Sequence, residues 1–127
     1  MSDSTDIALS LWRAIDSRDW IALEGILGRD FEAVWPQSGE RFDRAGYIDV
    51  NRQYPGEWSI HVAQTVDGGS CVVTEVEVTI DHRTDRAVSF LHISNGKVQQ
   101  IREFWPDPFP IPEWRSAVSR RAESEDE

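Results

Sequence analysis

Apolar residues in the first part of the chain recur at the three- and four-residue spacing that is typical of amphipathic helices. One such stripe occupies positions 7–15 and predicts a first helix. A second stripe occupies positions 20–27 and predicts a second helix, with Asp19 as its N-cap and Gly28 as its C-terminal stop. The chain therefore begins with two short helices that would bury one face each.

A short strand and a third helix follow. Residues 31–35 are predicted to form a strand that ends at Pro36, and a Ser-Gly turn then returns the chain. Asp43 is a suitable N-cap for the third helix, and the pair Pro55-Gly56 ends it.

The second half of the chain alternates between apolar and polar positions, which indicates strands. The predicted strands cover residues 58–66, 71–80, 88–93 and 98–105, and residues 81–86 are predicted to form a polar hairpin loop. Short turns between them predict an antiparallel meander. Helices followed by a long antiparallel sheet define an α+β fold, in which a curved sheet would wrap around three N-terminal helices as a cone.

Composition narrows the class of protein. The 127 residues suffice for one domain, which we place at residues 1–118, and residues 119–127 form an acidic tail that we predict to be disordered. A net charge of -10 excludes nucleic acid as a partner, because phosphate binding needs clustered lysine and arginine. It equally disfavours an anionic membrane surface.

The expected location is the cytoplasm. Cys71 is the single cysteine, so no intramolecular disulfide can form, and neither a signal peptide nor a membrane-spanning apolar run is visible in the sequence. Six tryptophans are many for so short a chain: most of them are expected to fill the core, and a surplus beyond core needs would favour aromatic pocket walls or a subunit interface.

Three stretches resemble the nuclear transport factor 2-like (NTF2-like, cystatin-like) superfamily, and within it the SnoaL-like proteins. They are residues 16–23, which resemble the link between the first two helices, residues 34–40, which resemble the first hairpin, and residues 95–107, which resemble the closing strand. The resemblance implies an open cone with a hydrophobic cavity for a small apolar molecule, and a homodimer formed through the sheet. Members include ketosteroid isomerases, polyketide cyclases, limonene-epoxide hydrolases and non-catalytic binding modules, so the fold alone does not define the activity.

The resemblance also assigns site residues. Glu103 stands where cyclases and epoxide hydrolases place a catalytic acid, and Glu77 where the epoxide hydrolases have an aspartate, so both are candidate catalytic residues. Glu75 stands where those hydrolases have an arginine, which counts against epoxide hydrolysis. Trp35 stands near the position of the ketosteroid isomerase base and cannot abstract a proton, which counts against steroid isomerisation.

The residues themselves leave two alternatives open for each candidate acid. Glu75 and Glu77 share one face of their strand, either in water with the aliphatic residues inward, which the sequence favours, or in the cavity. Glu103 lies between Ile101 and Trp105 on its strand face, so burial would raise the pKa of its carboxyl. The alternative for Glu103 is an ion pair with an arginine, such as Arg41 or Arg102.

Aromatic residues are the candidates for ligand binding, and a proline-rich run at 106–112 could lie across the cavity rim as a lid. No metal or cofactor is expected, because the three histidines lack ligand spacing and no phosphate-binding glycine motif is present. Two hypotheses remain: a non-catalytic module that binds a small molecule, and a cofactor-independent isomerase, cyclase or hydrolase that uses Glu103. The candidate ligand-binding residues are Trp12, Trp35, Tyr47, Trp58, Trp105 and Phe109.

Overall fold

A computed structural model describes residues 3–120 and has the α+β architecture that the sequence predicts. From residue 121 onward, the predicted acidic tail lies outside the described residues. Three α-helices pack on one face of a curved six-stranded sheet. The helices are α1 (Ser4–Asp16), α2 (Trp20–Ile26) and α3 (Arg44–Arg52).

The sheet has the strand order β2-β1-β6-β5-β4-β3. Neighbouring strands are antiparallel with one exception: β1 and β6 run parallel. The expectation of a wholly antiparallel sheet was therefore wrong for this pair. Parallel neighbours need a long connection, and the chain between β1 and β6 is long enough to provide it. The strands are β1 (Leu27–Trp35), β2 (Glu40–Asp43), β3 (Trp58–Gly68), β4 (Cys71–Ile80), β5 (Arg83–Ser94) and β6 (Lys97–Phe104).

The helix starts follow the capping chemistry of the sequence. The side chains of Asp19 and Asp43 accept hydrogen bonds from the backbone N–H groups of Ala22 and Gly46, as N-caps of α2 and α3. The helices do not all precede the sheet, however, because β1 and β2 lie between α2 and α3. The prediction of three N-terminal helices is thus only partly matched.

Two predicted boundaries are corrected. Gly28 does not end a helix: α2 stops at Ile26, and Gly28 lies inside β1. The loop predicted for residues 81–86 is a turn of only two residues, in which Asp81 adopts a left-handed φ of 53°. Tight hairpin turns favour positive φ because it matches the twist of the flanking strands.

The core lies between the helices and the inner face of the sheet. Strand β4 turns Val72, Val76 and Val78 inward, all with almost no exposed surface. Trp12 belongs to this core, and its indole N–H donates to the buried hydroxyl of Thr74 at 3.0 Å. None of the helices in the described part of the chain is long and apolar enough to cross a membrane.

Candidate functional site

A cavity of about 700 Å³ opens between the β1–β2 hairpin, the end of α3 and the end of β6. Trp35, Tyr54 and Trp105 supply its aromatic walls, and Glu103 lies at its floor. The site therefore combines apolar surface with a single buried acid, the composition expected of a small-molecule pocket.

Glu103 is held by three hydrogen-bond donors. Its Oε1 accepts from the indole N–H of Trp35 at 3.0 Å and from the hydroxyl of Tyr47 at 3.2 Å. Its Oε2 accepts from the hydroxyl of Ser89 at 2.9 Å. Oε1 thus has two donors and Oε2 has one, which leaves Oε2 with more remaining capacity to accept a proton or a hydrogen bond.

Strand pairing explains how these groups meet. Ser89 lies directly opposite Glu103 in the antiparallel β5–β6 register. The parallel β1–β6 pair aligns Val34 with Arg102, so the next residue along each strand, Trp35 and Glu103, are neighbours as well. Tyr47 is added from α3, which packs on β1.

Burial dominates the electrostatics of this network. Glu103 exposes only 1% of its surface, and this desolvation raises the pKa of its carboxyl, while the hydrogen bonds from Trp35, Ser89 and Tyr47 partly oppose the shift. Burial, together with the neighbouring Glu103, raises the pKa of Tyr47 well above its ordinary value. At neutral pH Tyr47 is therefore a hydrogen-bond donor, and Glu103 holds its proton more tightly than an exposed glutamate does.

The alternative of an ion pair for Glu103 is wrong. Arg41 pairs with Glu32 at 3.0 Å. The guanidinium of Arg102 lies over the rings of Phe90 and Phe104, on the other face of β6. Within residues 3–120, no salt bridge involves Glu103.

Glu77 does not join Glu103. The aliphatic residues of β4 face the core, and Glu77 lies on the other face, where its Oε2 accepts a hydrogen bond from Arg86 at 2.6 Å. The structure thus has the arrangement that the sequence favoured, and the alternative that places Glu77 in the cavity as a catalytic residue is corrected. The physical reason is that burying the valines of β4 leaves its glutamates on the outer face, where they pair with Arg86.

Three of the six predicted ligand-binding residues belong to the site, and the other three do not. Trp35 and Trp105 line the cavity, and the hydroxyl of Tyr47 donates a hydrogen bond to Glu103. Trp12 fills the core instead, and Trp58 packs under the guanidinium of Arg18, which lies 3.6 Å from its ring centre.

Phe109, the sixth candidate, is 73% exposed and does not line the cavity. Of the proline-rich run, only Pro106 and Asp107 line the cavity.

The residues of the site that were not predicted include Ser89, Tyr54 and Asp85. The hydroxyl of Tyr54 donates to Asp85 at 3.0 Å in the cavity wall. A sequence signal existed for Ser89, which lies on an otherwise apolar strand face between Ala87 and Leu91. A small polar residue in such a position indicates a buried partner.

The indole N–H of Trp105 is unusual. It is buried and has no acceptor in the structure, whereas the ring of Trp105 lies 6.3 Å from that of Trp35 at an interplanar angle of 66°. A buried donor without a partner is costly.

Among residues 3–120, no group of three histidine, cysteine, aspartate or glutamate side chains is arranged to hold a metal ion.

The fold has many relatives of known structure. A candidate ketosteroid isomerase from Kribbella flavida superposes with a TM-score of 0.87 and 27% identity, over 95% of this chain and 90% of that one. An NTF2-like protein of unknown function from Burkholderia xenovorans gives a TM-score of 0.75 and 28% identity, over 93% and 94%. The candidate polyketide cyclase IdmH from Streptomyces antibioticus gives 0.73 and 17%, over 79% and 89%.

These neighbours are NTF2-like proteins, and they confirm the resemblance to the NTF2-like, SnoaL-like superfamily drawn from the sequence. No family model matches the chain. No curated protein matches it significantly in sequence. The relatives carry several different assigned activities or none, so they establish no specific function for this chain.

Proposed function

We propose that the cavity binds a small organic molecule and that Glu103 acts on it as a general acid or base, without a cofactor. One observation carries the proposal: a fully buried carboxyl at the cavity floor that has no cationic partner among the described residues. Structural acids of this kind are normally paired with a cation, and an unpaired buried acid marks a site where a shifted pKa is useful.

The surrounding donors suit both halves of a proton transfer. Trp35, Tyr47 and Ser89 stabilise the carboxylate that remains after Glu103 gives up its proton, so the group does not stay locked in its neutral form. A carboxyl with a pKa moved toward neutrality can both donate and accept a proton at physiological pH. Because only 1% of Glu103 is exposed, substrate contact requires a small displacement of the adjacent wall.

Carbon acids are the first substrates to test. The full chain is incubated with small ketones and aldehydes in D₂O, and proton NMR follows the loss of signal at the carbon next to the carbonyl. If the protein has isomerase or cyclase chemistry, we expect deuterium to enter this carbon faster with the protein than in buffer alone. A parallel set of small epoxides tests hydrolysis, which we expect to be absent, because Glu75 stands where the epoxide hydrolases have an arginine and Arg86, the one arginine or lysine among the described lining residues, is bound by Glu77.

A non-catalytic binding module is the second candidate. It is favoured by the completeness of the network, since both carboxyl oxygens of Glu103 already have donors. A satisfied buried polar network can serve to fix a unique core arrangement. Binding without deuterium incorporation or epoxide opening would support this candidate, and native mass spectrometry of the purified protein would identify a retained ligand.

We propose in addition that the protein is a homodimer formed through the outer face of the sheet. The rings of Phe90 and Phe104 lie edge to face there, with their centres 6.3 Å apart, and the guanidinium of Arg102 lies over both rings. Val73 and Val88 are half-buried on the same face of β4 and β5. Adjacent apolar side chains on an open sheet face are the kind of surface that a second copy covers.

Replacing Phe90 with Glu is expected to convert the dimer to a monomer of 14.5 kDa in light scattering, because a charge would be buried at the centre of the interface. Ile21→Glu is the matched control, since Ile21 is 84% exposed on α2, and its mass should remain that of the dimer. A wild-type chain that is monomeric at micromolar concentration contradicts the proposal.

Two further parts of the proposal concern the chain as a whole. The single Cys71 is consistent with a reducing compartment, and we propose a cytoplasmic location, which cell fractionation would test. We also propose that residues 1–118 suffice for the fold, which a chain truncated after residue 118 would test by its thermal unfolding.

A further inference from the structure

The walls of the cavity carry more acidic than basic groups. Four carboxyl side chains line it, and Arg86 is the one arginine or lysine among the described lining residues. Its guanidinium is held by the outer face of the sheet: Nη1 donates to Glu77 at 2.6 Å and lies 3.6 Å from Glu75. The positive charge of Arg86 is therefore offset by two glutamates outside the cavity.

The carboxylates differ in how far they are already neutralised. Asp85 accepts from two nitrogens of Arg83, at 3.1 and 3.3 Å. Glu40 and Asp107 are exposed at the cavity wall, and neither forms an ion pair with a described residue. These two carboxylates leave a negative potential at the cavity mouth, which a charged ligand of opposite sign would meet.

The aromatic walls of the cavity also attract a cation. The indole rings of Trp35 and Trp105 meet nearly at right angles, with centres 6.3 Å apart, and form a corner beside Glu103. The face of an indole ring attracts a cation through its quadrupole, more strongly than the rings of tyrosine or phenylalanine do. Aromatic surface and carboxylates together therefore favour a ligand with a positively charged nitrogen.

We propose that the cavity binds small organic cations, with a quaternary or protonated nitrogen against Trp35 and Trp105 and near the carboxylates of Glu40 and Asp107. The proposal rests on the proposed function in one respect, namely that this cavity is the ligand site, and it does not depend on catalysis by Glu103. It refines the expectation of an apolar ligand: the aromatic corner takes the apolar substituents of the nitrogen, and the carboxylates take its charge.

An isosteric pair of probes tests the charge alone. Choline carries a trimethylammonium group, and 3,3-dimethylbutan-1-ol has the same shape and hydroxyl with a neutral carbon in place of the nitrogen. Titration of the full chain with each probe is followed by the indole N–H signals in ¹H–¹⁵N NMR spectra. We expect choline to bind about tenfold more tightly, with shifts at Trp35 and Trp105.

A double variant, Glu40→Gln with Asp107→Asn, separates the two sources of attraction. It should weaken choline binding by roughly fivefold and leave binding of the neutral alcohol unchanged, because only the charge at the mouth is lost. Glu24→Gln is the matched control, since Glu24 is an exposed carboxylate on α2 outside the cavity, and it should bind both probes as the wild type does.

Each other outcome has a defined meaning. Equal binding of the two probes, with shifts at Trp35 and Trp105, overturns the preference for cations and leaves the cavity as the ligand site. Shifts confined to the exposed Trp114 overturn the proposed site for choline. Saturating concentrations that move no indole signal overturn the proposal and count against the proposed small-molecule function of the cavity as well.

Discussion

Replacing Glu103 with Gln is expected to reduce proton transfer to a substrate by about a hundredfold or more, the usual contribution of a general acid or base. Glutamine keeps the size of the side chain and can still accept the hydrogen bonds of Trp35 and Tyr47 through its amide oxygen. Its amide nitrogen would face Ser89, whose hydroxyl can rotate to accept instead of donate. The variant therefore removes the ionisable proton and keeps the network.

The measurement is the rate of deuterium incorporation into the best carbonyl substrate, compared between wild type and E103Q at equal protein concentration. Tyr47→Phe is an informative companion, because it removes one donor to Oε1 and leaves the acid in place. We expect Y47F to lose less activity than E103Q and to shift the pH profile upward, since a lost donor destabilises the carboxylate. Unchanged activity in E103Q, with an unchanged fold, would assign Glu103 a structural role only.

Glu103 shows how far the sequence alone could define the site. Its position between Ile101 and Trp105 left burial and an ion pair as alternatives, and in the structure Glu103 is buried, which raises the pKa of its carboxyl. Its partners were less accessible, because the contact with Ser89 depends on the β5–β6 register and the contact with Tyr47 depends on how α3 packs. Neither is determined by local sequence pattern.

Glu77 shows why a candidate catalytic residue assigned by the resemblance does not join the cavity. Alternation along β4 divides its side chains between two faces, and the aliphatic character of one face favoured that face as the inner one. In the structure the valines form the inner face: Val76 and Val78 are buried, and Glu77 pairs with Arg86 on the outer face. Aromatic residues are harder to place from the sequence, since Trp58 and Trp105 have similar chemistry and only the tertiary structure places one of them in the cavity.

The stability of the protein is expected to depend on pH through Glu103 in a direction opposite to that of a salt-bridged acid. Its folded-state pKa is raised above the ordinary value of 4.5, so between these two values the native state holds a proton that the unfolded state has lost. The contribution is therefore fully favourable below pH 4.5 and is lost as pH rises through the folded-state pKa. The limiting slope for one proton is about 1.4 kcal/mol per pH unit.

Urea unfolding of wild type and E103Q across pH 4 to 8 isolates this contribution, because the other carboxylates are common to both chains. The free energy of unfolding of the wild type minus that of E103Q should fall as pH rises above the ordinary glutamate value and then level off. Glu24→Gln removes one negative charge from an exposed position and controls for the change in net charge. A difference that stays constant or rises with pH would show that the carboxyl of Glu103 is not held in its protonated form by the fold, and the proposed acid–base role would lose its physical basis.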